Sequence, residues 1–170
     1  MDLKRYIREV PDFPKQGISF KDITPLLSQP VAFQYVIDKF AEICSYRNVE
    51  VVAGVESRGF MFGAPLAATL QKPFVPIRKA GKLPYTTSRI EYSLEYDHSA
   101  LEIHTDAISL GERVVIVDDL LATGGTLQAS SKLVRQIGGK VVTHIVVVEL
   151  VGLGGRSRLS CEDVESLVKY

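Results

Sequence analysis

The apolar residues of this chain come in two rhythms, and their alternation predicts the fold. Unbroken Val/Ile-rich runs lie at 49–55 (VEVVAGV), 74–77 (FVPI), 113–119 (RVVIVDD) and 140–150 (KVVTHIVVVEL). Between them, apolar positions recur with a helical period: Val36, Ile37, Phe40, Ala41 and Cys44 after Pro30, then stretches near 60–70 and 125–137. Continuous apolar runs joined by helices indicate strands buried on both faces of a parallel sheet. The pattern therefore predicts an α/β fold, an open and mainly parallel sheet flanked by helices. In such folds ligands bind at the carboxyl ends of the strands.

The rest of the chain follows other patterns. Leu3, Tyr6, Ile7 and Val10 fall at helical spacing before Pro11 and Pro14, which predicts a short opening helix. PDFPKQGISFKDITPLL, from Pro11, mixes prolines and isolated apolar residues and predicts an irregular, ordered loop. Residues 78–105 begin with basic, Gly and Pro residues, then alternate Ile90, Tyr92, Leu94 and Tyr96, with Leu101 and Ile103 later. That predicts a mobile loop flanked by a β-hairpin over the sheet edge. Gly152 to Tyr170 carries no clear pattern. With no repeat or linker, the 170 residues are expected to form a single domain, 1–170.

Composition narrows the function. Hydrophobic residues make up 46% and charged residues 24%, ordinary for a soluble globular protein. Twenty basic residues balance twenty acidic ones, so no global field recruits nucleic acid or an anionic membrane, and any anion site must be local. Cys44 and Cys161 lie far apart and suggest neither a metal site nor a disulfide framework, only buried or bystander thiols. The charged N-terminus has no apolar core and no stretch nears the ~20 apolar residues of a membrane span, so a cytoplasmic protein is expected.

The chemistry concentrates in VVIVDDLLATGGT, residues 114–126. Gly124 and Gly125 let the backbone approach a phosphate closely at a helix start, Thr123 and Thr126 add hydroxyl donors, and Ala122 completes the small-residue turn. The Lys of a Walker A loop and the GxGxxG of a dinucleotide fingerprint are both missing. Asp118 and Asp119 would repel a phosphate, but acids at a strand end accept hydrogen bonds well from a vicinal diol. Phosphate and diol together describe a ribose 5-phosphate. Two solvated acids beside an ordinary Gly turn are the alternative.

This run resembles the signature of the type I phosphoribosyltransferases, which bind 5-phosphoribosyl 1-diphosphate. DFPKQGISFKDITPLL, GVESRGFMFGAPLA, IRKAGKLP and YSLEYDHSALEIHTDAI are similar in order and spacing to the purine, adenine-specific branch of that family, from residue 1 nearly to 152. The resemblance implies the type I fold with a small N-terminal hood, residues 1–30, that includes the base pocket. It also implies transfer of the phosphoribosyl group to N9 of adenine, giving AMP and diphosphate through an oxocarbenium-like transition state. Mg²⁺ would be carried largely by the substrate's oxygens rather than by dedicated protein ligands, and a homodimer is implied.

Site residues follow from the same comparison. The turn Glu56-Ser57-Arg58-Gly59 after a strand would grip the diphosphate, although Arg58 paired with Glu56 on the surface is the alternative. Arg78, Lys79 and Lys82 place positive charge where a diphosphate needs neutralising. Ser19, Phe20 and Lys21 match the base pocket, with Phe20 stacking on the purine or else packing in a core. Ser19 and Lys21 depart from the family's habit of an aliphatic residue and Arg, which leaves xanthine or guanine open as bases. Glu95, in the hood sequence YSLEY, is a candidate acid or base. A non-catalytic sensor of the sugar phosphate would use the same loop.

Overall fold

The computed structural model describes residues 1–94, 97–159 and 163–170, the side chains at 93, 94, 97 and 98 excepted. At the N-terminus the helical spacing makes one 3-10 turn, Leu3–Tyr6, rather than an α-helix. Ile7 is already extended, and the chain enters a short strand, Arg8–Val10 (β1), before Pro11. Leu3 and Ile7 are buried, so the apolar spacing serves a turn and a strand equally well. β1 pairs antiparallel with Phe20–Asp22 (β2), and a single helical turn follows at Thr24–Leu27 (α1). The expected irregular loop thus contains two ordered elements.

The long helix after Pro30 spans Pro30–Tyr46 (α2), and its positions Val36, Ile37, Phe40 and Cys44 are buried. Burial pushes the Cys44 thiol up to about 12, which makes it a packing group; Cys161 lies outside the described residues. Next come Val51–Val55 (β3), Arg58–Leu70 (α3), Phe74–Lys79 (β4), Thr87–Leu94 (β5) and Asp97–His104 (β6). Arg113–Leu121 (β7), Gly125–Gln136 (α4), Lys140–Glu149 (β8), Gly155–Arg158 (α5) and Val164–Lys169 (β9) complete the order. Among the described residues the main sheet has seven strands, in the order β5-β6-β4-β3-β7-β8-β9. β4, β3, β7, β8 and β9 run parallel, while β6 joins β4 and β5 antiparallel.

Both faces of the sheet are covered, which is why its central strands read as continuous apolar runs. Val52, Val115, Val117 and Ile145 pack with Phe40, Phe62 and Leu66 on one face. Val51, Ala53, Ile116 and Val146 pack with Leu127, Leu133 and Val134 of α4 on the other, joined by Leu101 and Ile103 of β6. Each such buried side chain contributes about 1.5–3 kcal/mol of transfer free energy.

Two features of this topology position the site. The units β3-α3-β4 and β7-α4-β8 depart in opposite directions from the central β3/β7 pair, so a crevice opens at the carboxyl ends of those two strands. In addition, β3 pairs with β7 only as far as Gly54 and Val117, whereas β7 continues beside β8 to Leu121. From Asp118 onward β7 has a free edge facing the crevice.

The basic segment after β4 is shorter than the sequence suggests, because Arg78 and Lys79 still belong to β4 and pair with Glu102 and Leu101 of β6. The hairpin forms the edge of the sheet. Two hydrogen bonds fix the start of the connecting loop: Ala80 N–H donates to the Ala100 carbonyl at 3.1 Å, and Gly81 N–H to Glu102 Oε2 at 2.9 Å.

Candidate active site

The crevice is a cleft of about 300 Å³. Glu56, Ser57, Arg58 and Lys79 line one side, the run from Asp118 to Leu127 lines the other, and Tyr92, Ser99 and Leu101 reach in from the hairpin. Ala122, Thr123, Gly124, Gly125 and Thr126 all line it, wrapped around the start of α4. Gly124 stands at the N-cap with φ +81°, a left-handed conformation natural to glycine, and no side chain caps the helix. Gln128 N–H donates to the Gly124 carbonyl at 2.9 Å, so the amides of 125–127 precede the intrahelical ladder. Such amides, at the positive end of a helix dipole, suit an anion.

The two acids stand beside this turn in different surroundings. Asp119 is 2% exposed and Asp118 is half-buried. Asp119 N–H donates to Asp118 Oδ1 at 2.9 Å. Asp119 Oδ2 is buried without a hydrogen bond; its one ion-pair partner among the described residues is Arg58, with Nε at 3.1 Å. Burial and the neighbouring Asp119 charge push the Asp118 carboxyl well above the usual range. Burial also raises Asp119, against the pull of Arg58. Asp119 Oδ2 in particular has room for a donor, and a vicinal diol supplies two.

Arg58 reaches Asp119 because α3 starts almost on top of β7. Gly59 makes that approach possible, since a Cβ there would lie 2.5 Å from the Val117 carbonyl oxygen. Gly59→Ala is expected to cost about 1–3 kcal/mol, measured by denaturant unfolding, because the clash is with backbone that has no rotamer to change.

Glu56 does not pair with Arg58. Its carboxylate accepts from Lys82 Nζ at 2.5 Å, from Lys79 N–H at 3.0 Å and from Arg78 Nε at 3.2 Å. Burial works to raise its pKa, but these hydrogen bonds outweigh it and bring the value down to about 2. Arg78 and Lys82 are therefore tied to Glu56 at the rim, while Lys79 lines the cleft.

Behind the anion turn, Glu149 accepts from Arg156 Nε at 2.9 Å and Nη2 at 2.7 Å, and from Ser166 Oγ at 2.6 Å. Arg156 chiefly holds its pKa down at about 2 as well. A lowered folded-state pKa gives stability that is present above the unfolded value and lost as pH falls through the folded one. Acid unfolding should accordingly begin below about pH 4.5 and steepen toward pH 2. Glu149→Gln should flatten that dependence in a pH series of thermal melts.

The base-pocket residues divide. The Phe20 ring faces Arg58, its guanidinium 5.3 Å from the ring centroid, and meets the edge of Phe13 at 5.2 Å. Lys21 instead places its ammonium 2.8 Å from Glu9 and 4.2 Å from the Tyr170 ring centroid, and Ser19 Oγ lies between Lys21 and Glu9. Those two side chains brace the N-terminal ribbon, and none of Ser19, Phe20 and Lys21 lines the cleft itself; Phe20 adjoins it only through Arg58. Glu95 lies outside the described residues. Tyr92, which the sequence marked only as one position of the alternating stretch, lines the cleft with its hydroxyl 3.4 Å from that of Thr126. Its place in the alternating stretch was the available signal.

A bare helix start beside paired acids, at the switch point of a fold of this topology, has the features expected of a site for a phosphorylated ribose. Residues 22–164 match the family of the phosphoribosyl transferase domain. The adenine phosphoribosyltransferase of Acetivibrio thermocellus is 55% identical over 171 residues, covering 100% of both proteins. The crystal structure of adenine phosphoribosyltransferase from Thermoanaerobacter pseudethanolicus superimposes with a TM-score of 0.96 at 54% identity, over 99% of this chain and 98% of that one. A second structure, of adenine phosphoribosyl transferase from Trypanosoma brucei in complex with AMP, pyrophosphate and ribose-5-phosphate, matches with a TM-score of 0.90 at 25% identity, over 98% of this chain and 77% of that one. The chain belongs to the phosphoribosyltransferase family and, within it, to the adenine phosphoribosyltransferases.

Proposed function

We propose that the chain transfers the 5-phosphoribosyl group of 5-phosphoribosyl 1-diphosphate to N9 of adenine, releasing AMP and diphosphate in purine salvage. One observation carries this reading: a buried carboxylate oxygen without a hydrogen bond, Asp119 Oδ2, shares a cleft with an uncapped helix start. The spacing suits a sugar whose hydroxyls meet Asp118 and Asp119 while its 5-phosphate meets Ala122 to Thr126.

In this mechanism the C1–O bond to diphosphate breaks as N9 approaches, and positive charge develops on the ribose. Asp118 and Asp119 fix the diol and favour that charge; Ser57, Arg58 and Lys79 receive the departing diphosphate. Glu56 keeps Arg78 and Lys82 beside them. Phe20 stacks on the adenine ring, with the backbone at Ser19 and Lys21 reading its edge, and Glu95 is the proposed acceptor for the N9 proton. Mg²⁺ would supply neutralisation of the departing diphosphate's charge and would be held largely by the substrate's own oxygens, with Asp118 and Asp119 as carboxylate donors of the kind this cation accepts.

Water competes for a cationic ribose, so the loop 78–100 is assigned the closing movement and residues 1–30 the hood over the base. The single domain 1–170 works as a homodimer in the cytoplasm, without nucleic acid as a partner. Among the described residues no helix is long and apolar enough to cross a membrane. Stoichiometry tests the reading: with Mg²⁺ and adenine, one diphosphate should appear per AMP, and chelation should stop both. A protein that binds the sugar diphosphate but releases none would be a sensor.

A further inference from the structure

Among the described residues the segment after β8 places none in the cleft, yet it touches the anion turn backbone to backbone. Leu150 N–H donates to the Leu121 carbonyl at 2.9 Å, which starts the segment beside the end of β7. After a 3-10 turn at Val151–Leu153, Gly154 takes φ +64° and the chain enters α5 at Gly155. Gly155 is buried, and a Cβ on it would overlap the Ala122 carbonyl oxygen and lie 2.9 Å from Gly124 N. The contact is reciprocal: a Cβ on Gly124 would lie 2.5 Å from the Gly155 carbonyl oxygen.

Arg156 anchors this contact from the far side. It forks onto both oxygens of Glu149, the last residue of β8, and Nη1 donates to the Val164 carbonyl of β9 at 2.6 Å. Gln128 Nε2, one turn into α4, donates to the Arg158 carbonyl at 3.3 Å. The turn 122–126 is thus held from behind by two glycine backbones in contact, and those are held by a guanidinium clamped to two strand ends.

We propose that Gly155 and Arg156 are positioning residues for the 5-phosphate, setting the backbone of Ala122 to Thr126 so that the amides of 125–127 converge on it. The inference rests on the reading of 122–126 as the phosphate turn. Displacements near 1 Å in binding geometry cost up to about a hundredfold, and a side chain at Gly155 forces a shift of that order.

The test compares AMP with adenosine, two ligands that differ only in the phosphate, by titration calorimetry on the full chain. Gly155→Ala should lower the ratio of AMP to adenosine affinity by about tenfold or more, with adenosine binding unchanged. KM for 5-phosphoribosyl 1-diphosphate should rise more than kcat falls. Arg156→Lys, which keeps the charge and loses the fork, should move the ratio in the same direction by less, and it serves if Gly155→Ala does not fold. A merely structural role would lower the melting temperature and leave the ratio alone. Thr126→Ala is the control: a lower ratio there, with wild-type ratios in both positioning variants, overturns the inference and leaves the phosphate reading standing. If the wild-type chain does not distinguish AMP from adenosine, both fall.

Discussion

Replacing Asp118 and Asp119 together by Asn should lower turnover about a thousandfold or more while making the ligand-free protein harder to unfold. Both effects come from the same geometry. The two carboxyls sit side by side at the free edge of β7, one oxygen of Asp119 has no hydrogen bond, and burial raises the pKa of each. A pKa raised in the folded state means stability that is complete below the unfolded value and is lost as pH rises through the folded one. At neutral pH the two adjacent buried carboxyls therefore cost stability that Asn restores. Asn keeps the shape but loses the charge that favours a cationic ribose. Melting temperature and kcat measured on one preparation check the pair of outcomes; a folded double variant with near wild-type turnover would remove the diol contact from the mechanism.

Arg58→Ala should reduce kcat/KM for 5-phosphoribosyl 1-diphosphate about a hundredfold, with a smaller change in the use of adenine. Arg58 is 35% exposed at its side chain and lines the cleft, while its partner Asp119 is only 4% exposed. Removing the guanidinium takes away the largest influence that opposes burial of Asp119, so its carboxyl rises further. Since the mechanism needs that carboxyl ionised, the acid limb of the pH–rate profile should move to higher pH. An unchanged limb and an unchanged response to diphosphate would remove Arg58 from this role.

The central strands were legible because their environment is uniform. Val51 and Ala53 face one layer and Val52 the other, so burial on both sides writes itself as an unbroken run. The turn at the start of α4 was legible for a related reason: a tight turn with Gly124 at positive φ favours small residues, as Ala122, Gly124 and Gly125 are.

Elsewhere one pattern fitted two structures. Leu3, Tyr6, Ile7 and Val10 satisfy a helical period, but in so short a stretch they are equally served by a 3-10 turn and a strand. Val164 and Val168, the buried ends of β9, lie four apart and resemble a helix face, which hid the last strand. The partners of Glu56 depended on how β4 and the loop after it fold back, since Arg78 and Lys82 lie far from it in sequence. Gly155 was the least visible, because its role is a contact made by having no side chain at all.

The most direct test of the account is nucleotide formation from 5-phosphoribosyl 1-diphosphate and Mg²⁺ with adenine, guanine, hypoxanthine and xanthine supplied separately. AMP from adenine and no nucleotide from the other three is the predicted result, in keeping with a Lys21 side chain that turns to Glu9 and Tyr170 rather than into the cleft. Nucleotide from another purine would contradict the base assignment, and none from any of the four would contradict the proposed transfer itself.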